Sequence, residues 1–203
     1  MGRSVLYWVC VFALIALPVG GCSDESSGGG SAGNGGSGSE VASDIDKARE
    51  ATERYKSLQN AIEDGYGPNT TVPCIAHNGW RYSNLGYVLA ALAAPPDIEK
   101  PVNLVYQREE DGEMILMAVE YIASGEGAAP VIFGHEMDGT FCIPNLPPLY
   151  ALHVWLWKDN PDGMFEHVNS TVPADVCVTD EGDFGVPAPP YCATGLPPTP
   201  PWL

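Results

Sequence analysis

His153, Glu120 and Arg81 are the side chains whose surroundings in the sequence suit them to polar chemistry. His153 sits in Leu149 to Lys158 (LYALHVWLWK), where period-2 alternation puts Leu149, Ala151, His153, Trp155 and Trp157 on one strand face. An imidazole between aliphatic side chains and two indoles is either a core histidine satisfied by its neighbours or the polar anchor of an apolar pocket. In the second case His153 is a metal ligand, with a transition metal as cofactor, or a contact for a small ligand. Glu120 closes the face Met114, Leu116, Ala118, Glu120 of a second strand, so it is either solvated at the strand end or a buried carboxylate meeting His153 or Arg81. Arg81 and His77 belong to a turn-rich segment, and His77 reads as an incidental loop histidine. His135, Glu136 and Asp138 (GHEMDG) match no standard metal spacing and read as a polar loop.

These residues support a non-catalytic domain that places a small ligand or a metal ion against His153, Trp155 and Trp157, with Glu120 and Arg81 as polar partners. A hydrolase using Glu120 or a histidine as general base is the alternative from another class. It lacks a nucleophile that can be paired with the base. A structural or interaction module of the cell envelope is the third. Gly29-Gly30-Ser31-Ala32-Gly33 has the G-x-S-x-G form of a serine hydrolase, but that motif needs a strand-to-helix elbow, and its low-complexity surroundings allow no strand.

The elements that must position these side chains follow from pattern. Ser43 to Asp64 predicts one long helix, with a capping-box spacing at Ser43 and Asp46, an apolar stripe of Ile45, Ala48, Thr52, Tyr55, Leu58 and Ile62, and Gly65 as its C′ residue. Leu85 to Ala94 predicts a short helix ended by Pro95-Pro96. Val102 to Gln107 and Glu113 to Ala123 form a hairpin through Asp111-Gly112. Val131 to Phe133 is a short strand. Leu149 to Lys158 is apolar on both faces and is therefore expected at the centre of its sheet, ended by Asn160-Pro161-Asp162-Gly163. The proline-rich tail from Val186 is expected to run extended, pinned by Cys192. The fold class is α+β: one N-terminal helix packed on a mostly antiparallel β-sheet, in a single domain spanning residues 41–203.

Ahead of the domain, Arg3 precedes an uncharged apolar run from Ser4 to Val19 and then Val19-Gly20-Gly21-Cys22. This predicts a lipoprotein signal peptide over 1–21, with Cys22 lipidated on sulfur and the membrane reached through that anchor. Residues 22–40 read as a Gly/Ser-rich tether. As a coil, Ser23 to Glu40 would reach roughly 21 to 25 Å. The expected location is extracytoplasmic, on a bacterial membrane, and on the outer membrane in a Gram-negative cell. The formal charge of −17 and the lack of a basic patch argue against nucleic acid as a partner. No protein partner is indicated.

Of the six cysteines, Cys10 and Cys22 belong to the signal and lipobox. Cys74, Cys142, Cys177 and Cys192 remain, and an even number in an exported domain predicts two disulfides with three possible connectivities. A Cys74–Cys177 bridge would close a long loop, worth about 4 to 5 kcal/mol in the chain-entropy model.

Several segments together carry a family resemblance: Ala48-x-x-Ala51-Thr52-x-x-Tyr55, Asp64-Gly65-Tyr66, Gly79-Trp80-x-Tyr82-x-Asn84, Ala118-Val119-Glu120-Tyr121, Phe133-Gly134, and the strand and turn LHVWLWK-x-NPDG-x-F from Leu152 to Phe165. From Ala48 to Cys177 the chain resembles an uncharacterised family of exported bacterial proteins and lipoproteins. The resemblance implies export, a shared fold, and the pairs Cys74–Cys177 and Cys142–Cys192. It also implies a histidine in many members where this chain has Arg81. A family metal site using that histidine and the one matching His153 would here have lost a ligand.

Overall fold

A computed structural model describes residues 38–143, 146–190 and 192. The signal peptide, Cys22 with its lipobox, nearly all of the tether and the end of the tail lie outside the described residues. The first helix, α1 (Gly38–Thr52), buries Ile45, Ala48 and Thr52 at spacings of three and four. It begins inside the stretch read as tether, so Ser43 and Asp46 lie within the helix and do not cap it. Nor does one helix run on to Asp64. The Thr52 hydroxyl bonds back to the Ala48 carbonyl at 2.7 Å, a contact that bends helices. A 3-10 turn (Glu53–Lys56) and an extended Ser57 follow before α2 (Leu58–Glu63). The turn presents the Tyr55 carbonyl to the Tyr106 hydroxyl at 2.7 Å. It also changes the phase of the stripe: Ala61 is fully buried and Ile62 is 47% exposed, the reverse of a continuous helix. Gly65, at φ 91°, follows α2 as the C′ glycine.

The strands are β1 (Tyr66–Pro68), β2 (Cys74–Ile75), β3 (Gly79–Asn84), β4 (Asn103–Arg108), β5 (Met114–Ser124), β6 (Val131–Ile132), β7 (His135–Glu136), β8 (Asp138–Phe141), β9 (Leu149–Val154), β10 (Val178–Thr179) and β11 (Gly182–Asp183), with α3 (Leu85–Ala91) after β3. Seven of them make one antiparallel sheet in the order β1-β3-β4-β5-β9-β8, with β2 also paired to β3. The fold is α+β, with the N-terminal helix on one face of this sheet. Ile45, Ala48 and Tyr55 pack there on Leu104, Tyr106, Val119, Tyr121, Leu152 and Val154. Burying each larger apolar side chain contributes about 1.5 to 3 kcal/mol, so this face holds the sheet and helix together.

β9 lies inside the sheet between β5 and β8, but the central pair is β4 and β5, with β5 the longest strand at 11 residues. β9 also stops at Val154, short of Lys158. The Leu156 amide folds back onto the Val154 carbonyl at 3.0 Å, and the Trp157 amide reaches Met117 O at 3.0 Å. This bend carries Trp157 to the helix side, where its indole N–H meets Thr52 Oγ1 at 3.3 Å and Lys56 Nζ lies 3.8 Å from the ring centre. Trp157 therefore does not share a face with His153, as unbroken alternation would require.

β4 and β5 pair with a register shift between Val105 and Tyr106. One extra residue of β5 sits at this bulge, so Leu116 packs in the helix-side core while Met117 and Ala118 both pack on the opposite face. The expected shared face of Met114, Leu116, Ala118 and Glu120 is broken there. Past the bulge, Glu120 stands opposite Asn103 and His153.

Two disulfides brace the sheet: Cys74–Cys177 and Cys142–Cys192, with Cα–Cα distances of 5.6 and 5.1 Å. They are the pairs the resemblance implied. Disulfides persist in oxidising compartments, so they mark the domain as extracytoplasmic. Among the described residues no helix is long and apolar enough to cross a membrane.

Candidate functional site

The face away from α1 carries a polar row across four strands. Register aligns Ser83 of β3 with Asn103 of β4, Asn103 with Glu120 of β5, and Glu120 with His153 of β9. Side chains directly opposite in a sheet are nearest neighbours, so the row forms once the register is set. Arg81 lies two residues before Ser83, opposite Val105, which is itself opposite Ala118. From there its guanidinium reaches across the sheet to Glu120.

There, Arg81 Nε donates to Glu120 Oε2 at 3.1 Å and Arg81 Nη2 donates to His153 Nε2 at 3.1 Å. A guanidinium has only donors, so His153 Nε2 must be the bare, accepting nitrogen and the ring proton sits on Nδ1. The 3.6 Å approach of His153 Nε2 to Glu120 Oε1 is then no ion pair. Burial first, and the Arg81 charge second, hold the His153 pKa well below the ordinary histidine range. The side chains of Arg81 and Glu120 are 3% and 10% exposed, which makes theirs a buried salt bridge.

The same carboxylate oxygen accepts from Asn103 Nδ2 at 2.6 Å. Asn103 Oδ1 in turn accepts from the Ser83 hydroxyl, and Ser83 Oγ accepts from Asn69 Nδ2 at 2.9 Å. Every donor in this chain points toward Glu120. Oε1 of Glu120 accepts no hydrogen bond among the described residues, and Arg81 Nη1 is buried with no partner among them.

His167 completes the cluster. Its ring meets that of His153 edge-on with centroids 4.4 Å apart, and its backbone carbonyl accepts from Asn78 Nδ2 at 2.5 Å. Burial, then His153, then Arg81 lower its pKa well below the usual range, so both imidazoles are neutral near pH 7.

Above this floor is a cavity of about 80 Å³, lined below by Arg81, Glu120, Asn103 and His167 and walled by apolar side chains including Val88, Ile122, Phe141, Leu149 and Ala151. The C-terminal tail closes part of the rim. Cys142 N bonds to Pro190 O at 2.9 Å and Cys192 N to Thr140 O at 2.8 Å. The Cys142–Cys192 bridge fixes that contact beside Phe141, and Pro189 joins the lining.

The structure thus brings Arg81, Glu120 and His153 together. Trp155 stays on their side of the sheet but packs with Cys74, Met117, Val172 and Cys177, its indole donating to Glu166 O at 2.7 Å, and it does not line the cavity. Trp157 is on the other face. His77 bonds through Nδ1 to the Val172 carbonyl at 2.8 Å, a structural contact. His135 is exposed and stacked on Phe165. Among the described residues no three His, Cys, Asp or Glu side chains gather as a metal-binding group.

The chain matches no family model, no curated protein and no solved structure. The roles of these residues therefore rest on the site's own geometry. Sequence pattern alone passed over His167, Asn103, Ser83 and Asn69. Asn103 gave the one usable signal, an amide ahead of the apolar run Leu104-Val105-Tyr106, across a hairpin from Glu120.

Proposed function

We propose that this chain is a non-catalytic, lipid-anchored extracytoplasmic domain that binds a small organic ligand in the cavity over Arg81 and Glu120. The observation that carries the proposal is a buried ion pair forming the floor of an apolar-walled cavity. Each half is a cost to folding. Cavities forfeit packing, and a buried ion pair is seldom more stable than an apolar replacement. Their coincidence in one place is the pattern of a ligand site, with apolar walls for affinity and a few fixed polar groups for orientation.

An organic ligand fits better than a metal ion on His153. The lone pair of His153 Nε2 already accepts from Arg81, and the guanidinium fills the gap between His153 and Glu120. A cation there would displace Arg81 and then face its charge. Hydrolysis has less support. The Ser83 proton is directed at Asn103, and Glu120 Oε2 already accepts two hydrogen bonds. Anchoring through Cys22 is the finer reading of a location that the disulfides fix only as extracytoplasmic.

The test is a fragment screen on the oxidised domain from Gly38 onward, read by chemical shifts of the Ile122 and Ala151 methyl groups, with elemental analysis of chelator-free protein alongside. Saturable shifts at these two methyls are expected with no stoichiometric metal. Near-stoichiometric zinc, copper or iron that is lost in His153→Ala would overturn the organic-ligand reading.

A further inference from the structure

The charges and hydrogen-bonding directions on the cavity floor specify the chemical class of the ligand. We infer that the cavity takes an uncharged molecule whose polar head both donates and accepts a hydrogen bond, a carboxamide or an alcohol, on an apolar body. This inference rests on the binding reading above and narrows it.

The floor is electrically balanced. Arg81 contributes one positive charge, Glu120 one negative charge 3.1 Å away, and both buried imidazoles are neutral. A carboxylate entering the cavity would gain little from an arginine already paired and would lie beside the Glu120 carboxylate. Like charges at such separations in a poorly solvated site are strongly unfavourable. The protein's overall charge of −17 adds long-range repulsion of anions. An ammonium would gain from Glu120 but meet the guanidinium bound to it. Either ion must also leave water for walls such as Val88, Ile122 and Leu149, with no unpaired counter-charge to compensate.

The hydrogen-bonding capacity left on the floor is of both kinds. Glu120 Oε1 is an acceptor without a donor among the described residues. The Asn103 amide has a second N–H beyond the one given to Glu120, whereas Arg81 Nη1, though without an acceptor among them, is itself shielded from the cavity. One neutral head that donates to Glu120 and accepts from Asn103 satisfies both kinds at once. An ether or ketone would cover the carboxylate oxygen without giving it a donor, and sites that leave a polar group buried and unpaired on binding discriminate strongly.

Hexanamide, hexanoate and hexylammonium form a matched series that differs mainly in head-group charge. Titrated at pH 7 into the oxidised native domain and read at the Ile122 and Ala151 methyls, hexanamide is expected to bind at least tenfold more tightly than either ion. In Glu120→Gln, whose floor carries a net positive charge, hexanoate should gain at least tenfold relative to hexanamide. Equal or tighter binding of either ion to native protein overturns the inference while leaving the binding reading intact. An unchanged ratio in folded Glu120→Gln also overturns it, since charge balance is then not the cause. If none of the three shifts these methyls, the binding reading falls, and this inference with it. The ranking is read on native protein, so a variant that fails to fold does not remove the test.

Discussion

Glu120 and His153 are direct cross-strand partners on β5 and β9, yet they do not bond to each other; Arg81, reaching over from β3, joins them by donating to both. That geometry fixes the tautomer of the imidazole, keeps the site's net charge at zero and makes three strands interdependent. Three predictions, all of them independent of which ligand binds, follow from it and from the disulfide-braced fold around it, and a fourth follows from the sequence ahead of the domain.

Removing one member of a buried charge pair leaves the other unpaired, which typically costs about 3 to 5 kcal/mol. Glu120→Ala is expected to lower unfolding stability by that amount in urea melts of the oxidised protein. The double variant Arg81→Met with Glu120→Met should recover most of the loss, because two apolar side chains suit the buried site. If the single variant loses under 1 kcal/mol, the pair is not buried as described.

The imidazoles of His153 and His167 are held below their unfolded value near 6.5. Above that value both folded and unfolded chains leave them neutral, so their favourable contribution is fully present. As pH falls below about 6.5, the unfolded chain takes up protons that the native chain refuses, and stability drops until the depressed folded values are reached. Two such groups give a slope of at most about 2.7 kcal/mol per pH unit. Urea melts at pH 7.5 and 5.5 should show this loss, and His153→Gln should reduce it. A loss of the same size in His153→Gln and in His153→Gln with His167→Gln would assign the pH dependence to other groups.

Cys74–Cys177 spans a sequence separation of 103 and lies in the core beside Met117 and Val172, whereas Cys142–Cys192 spans 50 at the cavity rim. Replacing both cysteines of the first pair by Ala should cost on the order of 4 to 5 kcal/mol, and replacing the second pair slightly less. Mass mapping under non-reducing conditions should find these two bridges and no alkylatable thiol among the four cysteines. Mixed or absent bridges would contradict the structure.

The proposed anchor is tested in cells. Fractionation should find the full chain with membranes and Cys22→Ser in the soluble extracytoplasmic fraction, since a lost acyl attachment removes the main source of membrane affinity. Retention of Cys22→Ser in the membrane pellet would refute lipidation as the means of attachment.

The sequence by itself determined what depends on near neighbours. Short apolar runs rich in β-branched and aromatic residues in Asn103–Arg108, Met114–Ser124 and Leu149–Val154, bounded by turn residues, made strands. Gly112 at φ 88° and Gly65 at φ 91° marked a hairpin and a helix end that few other residues could form. His153, Glu120 and Arg81 were visible as polar groups out of place. What only the tertiary structure decided is which of them meet. The bulge at Met117 adds one residue to β5, and a one-residue slip turns each later side chain to the other face. Without it Asn103 would oppose Val119, and Glu120 would point into the helix-side core. The break at Ser57 shifted the helix stripe in the same way, exposing Ile62 and burying Ala61, and the bend after Val154 sent Trp157 away from His153. His167 arrives at the site from a loop held by Asn78, with no periodicity to announce it. Local chemistry sets the elements, but register shifts and loop placement answer to packing across the whole sheet, and packing depends on residues far apart in the chain.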